Sequence, residues 1–380
     1  MMSDHILIVD DEPFNLDTLS QDLEDLGYET NTAVDGPSAL QIIDKDPPDC
    51  VLLDIMMPGM DGFEVLRHMR SNKKFGEIPV IIISAATDSE NVIRGITLGA
   101  EDYLPKPYDP TLLKARLGNC LARKHLRDIE KKYLQTLEDE MQVARQIQSC
   151  FLPAEIPVLS GWDVAVWLRS CKDVAGDFYD VFEIPNGDTI LFVGDVCGKG
   201  VGAALFMTLF RSMLHAQCME PFQSAEQLLV EAVRFTNAYV SSVHERDNMF
   251  ATLFIAYLPV EGDVVYINCG NEPAMLLTAE DQPHHLLMPT GPAVGIFGQA
   301  NFVAKTIATN GGTIVAYTDG LTDALGEDGR PCGRDQASGW LDRKMDAKQQ
   351  MASLQKKLEE FTQGKGYIDD ITVAIFKRQM

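Results

Sequence analysis

Val174-Ala175-Gly176-Asp177-Phe178-Tyr179-Asp180 lies near the middle of the chain, and three later segments share its form. These are Gly194-Asp195-Val196, Thr318-Asp319-Gly320 and Asp369-Asp370-Ile371-Thr372. Each reads as an Asp at the end of an apolar, strand-like run. Strands that finish in carboxylates gather negative oxygens at one sheet edge, and hard divalent cations with oxygen ligands offset the repulsion. The pattern points to a two-metal hydrolase.

Around these acids the chain reads as strands with interspersed helices. Residues 162–166 alternate as a strand with one buried face, 189–193 and 313–317 read as strands, and 202–217 and 225–243 read as helices. Helices on the outer faces of two packed sheets fit this order. The four segments, with Cys197-Gly198-Lys199-Gly200, Ala251-Thr252-Leu253-Phe254 and Tyr317-Thr318-Asp319-Gly320-Leu321-Thr322-Asp323-Ala324, resemble the PPM family of metal-dependent protein serine/threonine phosphatases. The resemblance is to the branch of bacterial sporulation and general-stress phosphatases, and it spans about 144 to 376. It implies that Asp177 and Asp195 hold two Mg2+ or Mn2+ ions with the Val196 carbonyl, and that Asp319 and Asp369 complete one of the two sites. Asp180 and Asp370 are second choices. In such a site the ions acidify a shared water that attacks phosphorus in line.

Two departures from that family stand out. Ala175-Gly176 replaces a pair of glycines, and Gly270-Asn271-Glu272-Pro273 stands where the family has Gly-His-x-Pro. Lys199 and Arg169 are weaker candidates for the substrate phosphate. The 198–202 glycines lack the spacing of a nucleotide-binding loop and read as a tight turn into a helix. His284-His285 reads as polar surface.

The first 118 residues alternate apolar runs with amphipathic stretches, from Ile6-Leu7-Ile8-Val9 through Leu16, Leu19, Leu23 and Leu26 to Cys50-Val51-Leu52-Leu53 and Val80-Ile81-Ile82-Ile83. Continuous apolar strands fit a parallel sheet covered on both faces, whose ligands gather at the carboxyl ends of the strands. Asp10-Asp11, Asp54, Ser84 and Lys106 are the residues expected there. With Val9-Asp10-Asp11-Glu12-Pro13, Met56-Met57-Pro58-Gly59-Met60-Asp61-Gly62 and Tyr103-Leu104-Pro105-Lys106-Pro107, this half resembles the receiver domain of two-component response regulators. The resemblance implies a five-stranded doubly wound sheet and a sensor histidine kinase as phosphoryl donor. It makes Asp54 the phosphoacceptor, Asp10, Asp11 and the Met56 carbonyl Mg2+ ligands alongside it, Lys106 the partner of the phosphoryl oxygens, and Ser84 and Tyr103 the switch. A carboxylate attacking a phosphoryl donor needs a cation to screen the repulsion, which suits these roles.

Between the halves, Leu126, Ile129, Tyr133, Leu137, Met141, Ala144, Ile147 and Phe151 recur at steps of three and four without a proline. Such a stripe predicts a long helix that pairs with a second copy as a coiled coil, the alternative being a helix packed on its own domain. The expected organisation is therefore a receiver at 1–118, a helical coiled-coil linker at 119–152 and an α+β phosphatase domain of two packed sheets at 153–380.

The net charge of −24 and pI near 4.6 argue against nucleic acid and anionic membrane as partners. The apolar runs are far too short to span a bilayer. Eight cysteines without a CxxC pair read as reduced, mostly buried thiols of a cytoplasmic protein. The leading expectation is a response regulator that dephosphorylates a phosphoprotein, and by family resemblance an anti-sigma-factor antagonist of the STAS class. The alternative is an interaction protein whose second domain binds a sigma factor or its regulator without turnover.

Overall fold

The computed structural model describes residues 3–85, 89–244, 249–278, 285–309 and 311–379. The chain divides into two compact units, Met1–Leu137 and Glu138–Met380.

In the first unit, β1 (His5–Val9), β2 (Glu29–Ala33), β3 (Cys50–Asp54), β4 (Val80–Ala85) and β5 (Asp102–Lys106) form one sheet in the order β2-β1-β3-β4-β5, parallel throughout. Alternate residues of the central strands feed two cores. Leu7, Val9, Val51 and Leu53 pack with α2 (Gly36–Lys45) and α3 (Gly62–Ser71), while Ile6, Ile8, Cys50 and Leu52 pack with α1 (Pro13–Asp25) and the start of α5 (Pro110–Ser149). Burial of both faces explains why these strands are continuous apolar runs rather than alternating ones. α4 (Ser89–Thr97) completes the set. Asp61 starts α3 with a capping box: its carboxylate accepts the Glu64 N–H at 2.7 Å, and Glu64 accepts the Asp61 N–H at 3.3 Å.

The linker stripe lies on the receiver's own last helix, because α5 continues unbroken from Pro110 to Ser149. Leu126, Ile129 and Tyr133 are each more than 60% exposed on it.

The second unit stacks two five-stranded antiparallel sheets. One runs β13 (Lys305–Ile307), β10 (Val264–Cys269), β9 (Ala251–Leu258), β8 (Thr189–Val196), β7 (Asp177–Glu183); the other runs β12 (His285–Leu287), β11 (Ala274–Leu277), β14 (Thr313–Tyr317), β15 (Ile371–Arg378), β6 (Trp162–Arg169). Leu191, Val193, Phe254 and Ala256 of the first sheet meet Leu276, Ile314, Ala316, Ala374 and Phe376 of the second in a shared core. The outer face of the first is covered by α6 (Val201–Cys218) and α7 (Ala225–Val243). The outer face of the second is covered by α8 (Asp319–Asp323), α9 (Gly333–Gly339) and α10 (Ala347–Thr362). All eight cysteines are free, and Cys50, Cys120, Cys218, Cys269 and Cys332 are buried. No helix among the described residues is long and apolar enough to cross a membrane.

Candidate active sites

In the receiver, Asp10 follows β1 and Asp54 ends β3, so parallel neighbours deliver them to the same sheet edge. Oxygens of Asp10, Asp11 and Asp54 lie within 4.8 Å of one another. The Lys106 ammonium spans two of them, 2.8 Å from Asp10 Oδ2 and 2.9 Å from Asp54 Oδ2. Burial first, and the Asp10 charge next, push the Asp54 carboxyl up, with Lys106 opposing them. Burial works against charge on Lys106, but its bonds to Asp10 and Asp54 outweigh burial and raise it. The Met56 N–H points at Asp54 Oδ1 from 3.5 Å. Lys106-Pro107 is a cis peptide. Ser84 is buried on β4, and Tyr103 on adjacent β5 lies with its ring 4.7 Å beneath the Arg116 guanidinium. Asn15 had no role in the sequence reading, yet its Nδ2 donates to both oxygens of Asp10, at 2.9 and 3.1 Å.

In the second unit the four acids do not all end strands as expected. Asp195 is the penultimate residue of β8, but Asp177 opens β7, Asp319 opens α8 directly after Thr318, and Asp369 precedes β15. Antiparallel pairing is the reason, since it sets the start of one strand against the end of the next, and Asp177 faces Asp195 in register. Asp177 is 1% exposed, and its Oδ2 accepts hydroxyls from Thr318, just after β14, at 2.8 Å and from Thr372 on β15 at 2.6 Å. Burial and Asp195 together push Asp177 well above the usual carboxylate range. Asp195 is pushed up to about 7, by burial first and then by Asp319 and Asp369. Asp319 is raised by desolvation and by Asp369, Asp323 and Glu272. The Val196 N–H donates to the Gly176 carbonyl at 3.3 Å, keeping that turn beside Asp195.

The remaining candidates divide clearly. Asp370 is near enough to raise Asp177 and Asp195, but its own oxygens accept the N–H groups of Cys171 and Gly176, each at 2.7 Å. Asp180 is not brought to the group: it faces α6, where Arg211 and His215 hold it at 2.7 and 2.8 Å. Lys199 donates to Asp369 Oδ2 and to the Ile368 carbonyl, both at 2.7 Å. Arg169 is exposed at the end of β6, opposite Ile371. His285 is exposed at the start of β12, and His284 lies outside the described residues.

Three positioning contacts were not foreseen from sequence. The two threonines on Asp177 are one. The others come from the end of α5, where Arg145 donates to the Asp173 carbonyl and carboxylate at 2.7 Å, and buried Gln148 exchanges two hydrogen bonds with the Ala175 backbone at 2.7 and 3.0 Å. Helix α5 therefore grips the segment that leads into Asp177.

A doubly wound unit with an acid trio and lysine, and a sandwich of two sheets with acids from both, define a response regulator with a PPM-type phosphatase domain as its output. The family Stage II sporulation protein E (SpoIIE) matches residues 185–379, and the response regulator receiver domain matches 6–118. The chain belongs to the SpoIIE family, with a receiver domain at its N-terminal side. It is similar to Protein IcfG of Synechocystis, 34% identical over 263 residues, which covers 63% of this chain and 41% of that one. It is also similar to Response regulator PleD of Caulobacter vibrioides, 45% identical over 116 residues, covering 30% of this chain and 26% of that one. The matched stretches thus span less than half of either relative. The SiaA-PP2C domain of Pseudomonas aeruginosa shares the fold over 65% of this chain and 99% of its own, with a TM-score of 0.55 at 18% identity.

Proposed function

We propose that the receiver accepts a phosphoryl group on Asp54 from a sensor histidine kinase in the cytoplasm, and that this controls a metal-dependent protein serine/threonine phosphatase. Its substrate is a phosphorylated STAS-type anti-sigma-factor antagonist. The observation that carries the reading is the carboxylate set of the second unit. Buried Asp177 and half-buried Asp195 face each other with raised pKa values, and Asp319 and Asp369 add their charge from the other sheet. A set of hard carboxylate oxygens whose charges raise one another suits divalent cations.

Asp177, Asp195, the Val196 carbonyl, Asp319 and Asp369 would hold two Mn2+ or Mg2+ ions, which supply charge screening and an acidified water. Asp10, Asp11, Asp54 and the Met56 carbonyl would hold one Mg2+ in the receiver. The chain's own residues do the rest. Thr318 and Thr372 fix the Asp177 carboxylate, and Lys199 sits beside Asp369 where a substrate phosphate would arrive. In the receiver, an Asp54 oxygen attacks phosphorus as the kinase histidine leaves, and Lys106 moves from carboxylate to phosphoryl oxygen. Ser84 and Tyr103 then respond to the new charge. The grip of Arg145 and Gln148 on residues 173–175 supports transmission through α5.

The exposed stripe at Leu126, Ile129 and Tyr133 supports a homodimer paired along this helix. Ile129→Glu with Tyr133→Glu is expected to sediment as a monomer, and an unchanged dimer mass would remove the helix from the interface.

A second reading, a binding domain without turnover, is favoured by the Lys199 ammonium already paired with Asp369. Release of phosphate from a phosphoserine STAS protein, with Mn2+ against chelator, separates the two readings. Mn2+-dependent release supports the enzyme, and binding without release supports the alternative.

A further inference from the structure

Asp177 and Asp195 lie on one sheet while Asp319 and Asp369 flank strands of the other, so something must set the spacing between the sheets at that end. Asn271 lies in the turn between β10 and β11 and is 3% exposed. Its Nδ2 donates to the Tyr317 carbonyl at 2.9 Å and to the Glu272 carbonyl at 3.2 Å. Its Oδ1 accepts the Thr252 hydroxyl at 3.3 Å, and its own N–H donates to Asn268 Oδ1 at 2.9 Å. Asn268, fully buried, is in turn fixed by its Nδ2 on the Leu287 and Glu272 carbonyls, both at 3.2 Å.

The two ends of the Asn271 amide reach opposite halves of the site. Thr252 on β9 stands in register opposite Asp195 on β8. Tyr317 is the last residue of β14, two positions before Asp319. A single planar amide therefore ties the strand facing Asp195 to the strand end that presents Asp319. It does so with one acceptor toward a hydroxyl and one donor toward a carbonyl, a pairing that a purely apolar residue cannot supply.

We propose that Asn271 is a positioning residue for the two-cation site, setting the separation of Asp195 from Asp319 through Thr252 and the Tyr317 carbonyl. This rests on the metal-dependent reading of the second unit. Outer groups that orient metal ligands typically change metal affinity by about 10–100-fold when removed.

The test measures Mn2+ binding by calorimetry on the full-length chain, in a parent carrying Asp11→Asn and Asp54→Ala so that the receiver carboxylates do not contribute. Three variants are compared: Asn271→Ala, Thr252→Val, and Leu214→Ala, which opens a cavity in the core beneath α6 without touching the node. Thermal midpoints and the Mn2+ concentration for half-maximal phosphate release are measured alongside. The expected result is about tenfold weaker Mn2+ binding for Asn271→Ala and a smaller loss for Thr252→Val, with Leu214→Ala at parental affinity despite a lower midpoint. Parental affinity in Asn271→Ala overturns the proposal. So does an equal loss in all three variants, which would mark a purely structural role. Failure of the parent itself to bind Mn2+ would instead overturn the metal-dependent reading, a separate result.

Discussion

The receiver and the phosphatase unit both concentrate acids at one end of a β-structure, but they balance that charge differently. The receiver takes three carboxylates from one parallel sheet and closes the group with Lys106, whose ammonium touches two of them. The phosphatase unit takes Asp177 and Asp195 from one antiparallel sheet and Asp319 and Asp369 from segments flanking the other, where the Lys199 ammonium pairs with Asp369. Asp10, Asp54 and Asp177 are all buried, but in the second unit burial and the neighbouring acids push Asp195 up to about 7. Thus the receiver group has a built-in ammonium that bridges two of its three carboxylates, whereas among the described residues the second unit's acids meet an ammonium at Asp369. Both use the same backbone device. A Cβ on Gly62 would stand 2.2 Å from the Asp54 carbonyl oxygen, and one on Gly320 would stand 2.0 Å from that of Asp370, so each acid-bearing strand end packs directly against a helix start that only glycine allows.

The largest effect is expected in the second unit's acid group. Asp195→Asn removes the carboxylate that feels Asp177, Asp319 and Asp369 together, and phosphate release should fall to background while the fold persists. Release at the wild-type rate would break the contrast between the two sites. Next in size is Asp54→Ala, which keeps the phosphatase acids but removes the acceptor. Its rate is expected to be the same with and without a phosphoryl mimic, while the wild type responds. A mimic that still changed the variant's rate would act outside the receiver group.

The two halves also differed in how plainly the sequence announced them. In the receiver, β1, β3 and β4 are buried on both faces and therefore read as apolar runs. β2, Glu29-Thr30-Asn31-Thr32-Ala33, is a mostly exposed edge strand with no such signal and was not located. In the second unit, 313–317 and 225–243 matched their elements, because one is a fully buried run and the other an amphipathic helix with Ser224 capping its start. The acids themselves were legible as motifs, but their strand ends were not, since antiparallel pairing is a property of partners rather than of a segment. The hydroxyls of Thr318 and Thr372 on Asp177 were hidden for the same reason. A threonine is common in strands, and only the facing sheet gives these two a role.

Those hydroxyls give a smaller effect that sharpens the comparison. Thr372→Val keeps the shape and removes one of the two hydrogen bonds on Asp177 Oδ2, so Mn2+ binding should weaken by about tenfold. The analogous receiver change, Asn15→Ala beside Asp10, is expected to weaken Mg2+ binding less, because Lys106 still holds the same carboxylate. Equal losses would mean that the lysine contributes no orientation.

The last expected effect is read on stability alone, as its pH dependence in chelator. Burial and the neighbouring acids push Asp195 up to about 7 in the folded protein, against 3.8 for an ordinary Asp. Between those values folded Asp195 keeps a proton that the unfolded chain has lost, so its contribution to stability is fully present below about pH 4 and is lost as pH rises through about 7. One such group contributes a slope of at most about 1.4 kcal/mol per pH unit. The unfolding midpoint of the second unit should therefore fall between pH 5 and 7.5, and Asp195→Asn should flatten that fall. Added Mn2+ should reverse it, because cation binding requires the deprotonated acid. In the receiver, Asp54 is raised in the same direction but Lys106 opposes the shift, so its transition should be less sensitive to pH over the same range. Matching slopes in the two units, or a slope unchanged in Asp195→Asn, would remove the charge imbalance on which the contrast rests.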